Sequence, residues 1–307
     1  MQKAEKRLQA ILQKYNTNFL TKDYSKLDVN KKIFFNFRFM CLNKTTIAFM
    51  GIIFMLVAAG HTTNLFNNST CMIDMPSDAS KWFREPEICD ICEGVTEVVK
   101  VKNVSASAFY SNFVGPAKPV VVTDGAKYWP ASEIFTFKFF QKLYKSSNHE
   151  SESSSCQFFP YKTEFTSLHE ALNMDVKRAE LENGEPWYIG WSNCNDYAGR
   201  ILRKHYEVPY FLPNTSENIA LNWIFMGGPG QGAHMHVDNV QFPSWQAQLK
   251  GKKLWRLAPP PECYYKCQEM QVTVESGEII VVDTNRWYHQ TFILPGEISI
   301  TIGSEFD

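Results

Sequence analysis

The 307-residue chain has no internal repeat and only one Cys-x-x-Cys motif, Cys89–Cys92. With no second such motif, that pair supplies at most half of a zinc site. No βαβ pattern surrounds it either, which argues against a thioredoxin-like redox motif. The expected use is a structural disulfide, local or tying this stretch to the rest of the chain. A net positive balance is missing from the bulk of the molecule. Residues 1–44 hold ten Lys and Arg against three Asp and Glu, or +7, so with a total of −1 the remainder carries −8. An acidic main body offers no electrostatic footprint for DNA or RNA, and no nucleic-acid partner is expected.

Charge of either sign is absent from residues 45–73. The most apolar part is IAFMGIIFMLVAAG, residues 47–60, and a spanning helix of ~20 residues must borrow from both flanks. Lys31, Lys32, Arg38 and Lys44 precede it, and no further positive charge occurs until Lys81. The positive-inside rule then predicts a basic cytoplasmic tail at 1–44, a transmembrane signal anchor at 45–65 and a lumenal or extracellular remainder. That is a single-pass type II protein of the ER, Golgi or cell surface, held in the membrane by one N-terminal helix. A signal cleaved near Val57 and Ala59 is the alternative, although 44 residues is long for its charged region. A buried core helix is a further one.

Residues 66–101 read as an irregular stem. Asn67, Asn68, Asn103 and Asn214 begin N-x-S/T sequons on the deduced lumenal side, which makes them candidate glycan sites. Seven cysteines lie beyond the anchor: Cys71, Cys89, Cys92, Cys156, Cys194, Cys263 and Cys267. In an oxidising lumen they should mostly pair, leaving one over. Cys263 and Cys267 could bond each other or reach back to Cys156 or Cys194.

From residue 102 the texture is that of a folded domain, 102–307. A short helix leads to a buried strand at 119–123. Helices are predicted over 134–144 and 168–182, and strands over 187–191 and 219–226. The polar run SSNHESESSS is a solvent loop. The Gly-rich bend GGPGQG then delivers the chain to GAHMHVDNV.

That last stretch carries the chemistry. His236 and Asp238 flank one Val, and on a strand positions i and i+2 face the same way. An imidazole and a carboxylate converging on one point are two-thirds of the 2-His-1-carboxylate set that holds non-haem Fe(II) with positions left open. His289, in GEIIVVDTNRWYHQT, suits the third place. His234 also offers a His-x-His pair with His236, but a rim position suits it better. In QLKGKKLWRL, Lys253, Trp255 and Leu257 share a strand face while Lys252 alternates away. A lysine on such a face needs a buried partner, because an unpaired buried ammonium is costly.

HVD, then QLKGKKLWRLAPPPE, then SGEIIVVDTNRWYHQT resembles the Jumonji-C and cupin-like Fe(II)/2-oxoglutarate oxygenases over about residues 102–307. The branch it most resembles contains the asparaginyl hydroxylase that acts on the hypoxia-inducible factor. The resemblance implies a mainly β fold with flanking helices, a double-stranded β-helix of the jelly-roll or cupin type. It implies Fe(II) held by His236, Asp238 and His289, and 2-oxoglutarate held by Lys253. Asn239, Trp245 and Gln248 should lie near the site, and Asn222 on the preceding strand is expected to point inward. Where the related hydroxylase has a threonine that helps bind 2-oxoglutarate, this chain has Ala233. The sequence stops at Asp307 without the helices that follow the barrel and build dimers in some relatives, so a dimer, if any, is expected to form differently. The expected activity is a dioxygenase, with hydroxylation of a secretory-pathway protein side chain as the leading reading and a small-molecule substrate as another. A catalytically degenerate lumenal binding protein is the alternative.

Overall fold

Short β-branched runs build two sheets. Val120, Val121 and Val122 form one strand, and Ile279 to Val282 form its neighbour; every side chain in both is buried. Such residues suit a pleated surface that is covered on both faces. The computed structural model describes residues 86–146, 156–183, 185–213 and 222–307, all within the unit Phe83–Asp307. The strands in chain order are β1 (Val99–Val101), β2 (Val120–Val122), β3 (Phe158–Lys162), β4 (Tyr188–Asn193), β5 (Asn222–Gly227) and β6 (Gly230–Gln231). They continue as β7 (Ser244–Lys250), β8 (Lys253–Ala258), β9 (Met270–Val274), β10 (Ile279–Val282), β11 (Tyr288–Ile293) and β12 (Ser299–Glu305). The larger sheet runs β1-β2-β10-β7-β12-β5-β4-β3 and the smaller β6-β11-β8-β9. Pairing is antiparallel except between β1 and β2.

Parity sorts the residues of the larger sheet into two cores. Val121, Ile280 and Val282 pack with Trp255, Leu257, Val272 and Val274 of the smaller sheet, so this core lies between the sheets. The alternate positions, among them Val120, Val122, Ile279, Val281, Ile224, Met226, Trp245 and Ala247, pack with helical residues on the outer face. Two face-to-face, mainly antiparallel sheets with helices on one side are consistent with the jelly-roll arrangement that the resemblance implies.

The helices are α1 (Ala106–Phe109), α2 (Ala131–Ile134), α3 (Phe137–Ser146), α4 (Leu168–Leu172), α5 (Val176–Ala179) and α6 (Asp196–Leu202). Two expected helices are each split. The 134–144 stretch breaks where Phe135 turns extended. The 168–182 stretch breaks at Asp175, whose side chain accepts from the Lys177 amide and starts a new helix.

Residues 86–101, expected as stem, are part of the fold. β1 joins the sheet, and two disulfides, Cys89–Cys263 and Cys92–Cys267, fasten the Cys-x-x-Cys turn to the β8–β9 loop. The third bridge is Cys156–Cys194. Thus Cys263 and Cys267 bond neither each other nor Cys156 and Cys194. Chain reversal in space brings the Cys-x-x-Cys turn to them. The expected tail, the anchor, the start of the stem, Cys71, the sequons at Asn67, Asn68 and Asn214, and most of the polar run lie outside the described residues. Among the described residues no helix is long and apolar enough to cross a membrane.

Candidate metal and keto-acid site

His236 lies outside the regular strands, in contrast to the strand position that alternation predicts. It forms an isolated bridge with His289 of β11. The two residues exchange both backbone hydrogen bonds, 3.1 Å from the His236 amide and 2.8 Å from that of His289. Directly opposed residues in an antiparallel pair project side chains to the same face. The imidazole centroids are accordingly 4.2 Å apart. Asp238, two residues on in extended chain, is held by its amide to the Thr284 carbonyl at 2.9 Å. Its Oδ1 lies 3.3 Å from His236 Nε2 and its Oδ2 3.8 Å from His289 Nε2. One donor atom from each of the three residues falls within 4.8 Å of the others. An ion with ligands at ~2.1 Å separates neighbouring donors by about 3 Å, so small side-chain shifts would close the set around one.

The backbone selects the imidazole tautomers. His236 Nδ1 faces the His234 carbonyl at 2.6 Å, and His289 Nδ1 faces the Trp287 carbonyl at 3.2 Å. A carbonyl can only accept, so each Nδ1 carries a proton, and in the neutral ring Nε2 is the nitrogen left to ligate an ion. Burial pushes the His289 imidazole down to about 4, against the attraction of Asp238. Burial also opposes charge on His236, but its hydrogen bonds to Asp238 and the His234 carbonyl win and raise it. The Asp238 carboxyl is lowered: burial works against this, and His236 and His289 overcome it. The Thr284 hydroxyl also favours the charged form, although its Oγ1 has no partner in good hydrogen-bond geometry.

Lys253 opens β8 and is 1% exposed, on the inner face with Trp255 and Leu257. The β7–β8 hairpin puts it there through Gly251, at φ +65°, a conformation an L side chain rarely adopts. Lys252 faces out. Lys253 Nζ has no hydrogen-bond partner and lies over the rings of Tyr188 and Phe225. Burial alone pushes its ammonium down to about 7. An orphaned cation in an aromatic cage is what a carboxylate would satisfy.

The remaining expected residues divide. Gln248 is on the inner face and fully buried, with its amide engaged: Nε2 donates to the Lys250 carbonyl and Ser299 Oγ, and Oε1 accepts from Thr301. Asn239 and His234 are exposed beside the triad. Asn222 does not point inward. It shares parity with Ile224 and Met226 on the helical side and accepts from the Tyr206 hydroxyl at 2.6 Å. Trp245 has the same outward parity and packs edge-on against Trp129.

Residues not singled out from sequence complete the chamber. Tyr161 of β3 lies with its ring 6.5 Å from that of His236 and 5.6 Å from that of Tyr188, joining the triad to the lysine cage. Burial, and then the charge of Asp238, raise its phenol. The Thr291 hydroxyl accepts from the Ala233 amide at 3.0 Å and lies against the Tyr188 phenol. So a hydroxyl from β11 stands beside Ala233. Gly232 permits this approach, since a Cβ there would meet Thr291 Oγ1 at 2.5 Å. Alternation on β11, where 289, 291 and 293 share a face, was the available signal for Thr291. Nothing in the sequence fixes the register that brings Tyr161 and Tyr188 in.

The chain is 22% identical over 264 residues to the arginine-specific demethylase JMJ20 of Arabidopsis thaliana, covering 67% of this chain and 56% of that protein. It is 25% identical over 167 residues to the bifunctional arginine demethylase and lysyl-hydroxylase psr-1 of Caenorhabditis elegans, covering 52% and 40%. It is 28% identical over 162 residues to the 2-oxoglutarate and iron-dependent oxygenase JMJD4 of Danio rerio, covering 40% and 38%. The chain thus spans between 38% and 56% of the length of these relatives. Residues 106–292 match the cupin-like domain, more than half of the sequence. The chain belongs to the cupin-like family.

Proposed function

We propose that this protein is an Fe(II)- and 2-oxoglutarate-dependent dioxygenase that hydroxylates a protein side chain. The observation that carries the reading is the pairing of two features on one barrel interior. A tautomer-sorted His236–Asp238–His289 cluster faces the same chamber as the partnerless buried ammonium of Lys253. His236 Nε2, His289 Nε2 and an Asp238 oxygen would hold the ion. Lys253 would neutralise the distal carboxylate of the keto acid, with Tyr188 and Thr291 beside it. When bound, the iron and keto acid together supply oxygen activation, with the keto acid leaving as succinate and carbon dioxide. The chain's own part is orientation and dryness: the tyrosines, Phe225 and Trp255 keep water from the chamber, which strengthens each charge contact inside it.

The names of the relatives support a protein substrate, since they include arginine demethylation and lysyl hydroxylation. We place the activity in the secretory pathway behind an N-terminal membrane anchor. The charge asymmetry about residues 45–65, the sequons and the three disulfides support this. Kinship with the asparaginyl hydroxylase branch rests on motif order alone. The test is metal analysis of the purified full-length protein together with succinate release from 2-oxoglutarate. Iron at one equivalent and turnover lost in Asp238→Ala are expected. A protein that binds 2-oxoglutarate and iron but never releases succinate is a binding module, and the enzymatic reading then fails.

A further inference from the structure

The residues preceding β1 reach the metal cluster through one ion pair. The Glu87 side chain is 13% exposed and takes a two-pronged contact from Arg286, whose Nε donates to Oε2 at 2.9 Å and Nη2 to Oε1 at 2.5 Å. The Glu87 amide donates to Glu262 Oε1 at 2.7 Å, and the Cys89–Cys263 and Cys92–Cys267 bridges fix the chain just beyond it. Glu87 is therefore covalently anchored on one side.

Arg286 lies in the turn between β10 and β11. The Asp283 carbonyl closes that turn by accepting from the amides of Arg286 and Trp287 at 3.1 and 2.9 Å. This turn grips the metal segment twice. The Thr284 carbonyl accepts from the Asp238 amide at 2.9 Å, and Asn285 Oδ1 accepts from the Val240 amide at 2.9 Å. It then runs directly into Trp287, whose carbonyl fixes the His289 ring. One turn thus aims two of the three donors, and Glu87 is the carboxylate that grips its arginine.

We infer that Glu87 is a positioning residue for the metal site, acting through Arg286 and held by the paired disulfides. The inference rests on His236, Asp238 and His289 being the metal ligands. A forked Arg–carboxylate contact is directional and stronger than a neutral hydrogen bond. Removing its acceptor frees the turn to shift. Contacts made directly to metal ligands are worth roughly 10–100-fold in metal affinity, and a contact one step further out belongs at the lower end of that range.

The experiment titrates metal-free full-length protein with Mn(II), an air-stable substitute for Fe(II), and reads affinity by calorimetry. Glu87→Gln should weaken binding at least tenfold, by about the same factor at low and moderate salt. Exchanging the pair, Glu87→Arg with Arg286→Glu, should recover most of the loss. Arg178→Gln, which breaks the exposed ion pair with Glu164, should leave affinity at the wild-type value. Wild-type affinity in Glu87→Gln overturns the inference alone, and so does an equal loss in Arg178→Gln, which would indicate general loosening. A wild-type protein that takes up no Mn(II) removes the ligand assignment itself, and the inference with it.

Discussion

Lys253 Nζ sits 5.3 Å from the centre of the Tyr188 ring and 5.4 Å from that of Phe225, with no oxygen bonded to it. Two aromatic faces ease the burial of a cation but do not replace an anion. The fold therefore disfavours the charged form of this lysine until a carboxylate arrives.

Replacing that charge should separate stability from function. Lys253→Met keeps the volume and removes the burial penalty, ~1–3 kcal/mol for an unsatisfied buried group. The metal-free protein should melt higher at neutral pH, at ~2–4 °C per kcal/mol for a domain of this size. The ammonium is held near 7 in the fold and near 10.5 when exposed. Between those values the unfolded chain binds a proton that the fold does not, so wild-type stability rises with pH across that window. The advantage of the methionine variant should shrink over the same range. The 2-oxoglutarate requirement should rise roughly a hundredfold. A lower melting temperature at pH 7, or an unchanged requirement, contradicts the cage.

Asp238→Ala should abolish metal uptake and turnover while circular dichroism and melting change little, because the side chain is partly exposed and belongs to neither hydrophobic core. Succinate release at the wild-type rate would end the assignment.

His289 stays neutral in the fold down to about 4 and takes up its proton near 6.5 when exposed. The unfolded chain binds more protons between those values, so stability of the metal-free protein falls as pH drops from 6.5 toward 4. The contribution is on the order of 3 kcal/mol. His289→Gln should flatten the acid limb of a urea-melt series against pH. Identical slopes in the two proteins would argue that the ring is solvated.

The two bridges at the Cys-x-x-Cys turn span sequence separations of 174 and 175 residues, nearly the same loop. Loop-closure entropy counts that loop once, so the second bridge adds little to what the first removes from the unfolded ensemble. Replacing one pair with serines should cost much less than half of replacing both, where ~2–5 kcal/mol is expected. Additive losses in denaturant melts would reject this account.

Asn103 is exposed at φ +50° in the turn after β1, with its sequon intact. If the domain faces the lumen, Asn103→Gln should remove one glycosidase-sensitive mass step. A mass unchanged by glycosidase in the wild type would count against the lumenal placement.

The parts of this site readable in the sequence were those set by alternation. Lys253, Trp255 and Leu257 share a face because three strand residues spaced by two must. The triad was visible because its residue types are rare and ordered. Asn222 failed for a related reason: parity depends on where a strand begins, and Ile224 and Met226 carry its face to the helices. Tyr161 and Tyr188 were hidden because long-range register, not local pattern, brings β3 and β4 over the chamber. The disulfide map was hidden likewise. Nothing near Cys89 or Cys92 indicates that partners wait beyond residue 260.

Those distant partners give the protein a late birth. A growing polypeptide releases Cys89 and Cys92 long before Cys263 and Cys267 leave the ribosome. The early thiols must be kept from pairing with each other through most of translation. A product truncated before that point has no mates for them.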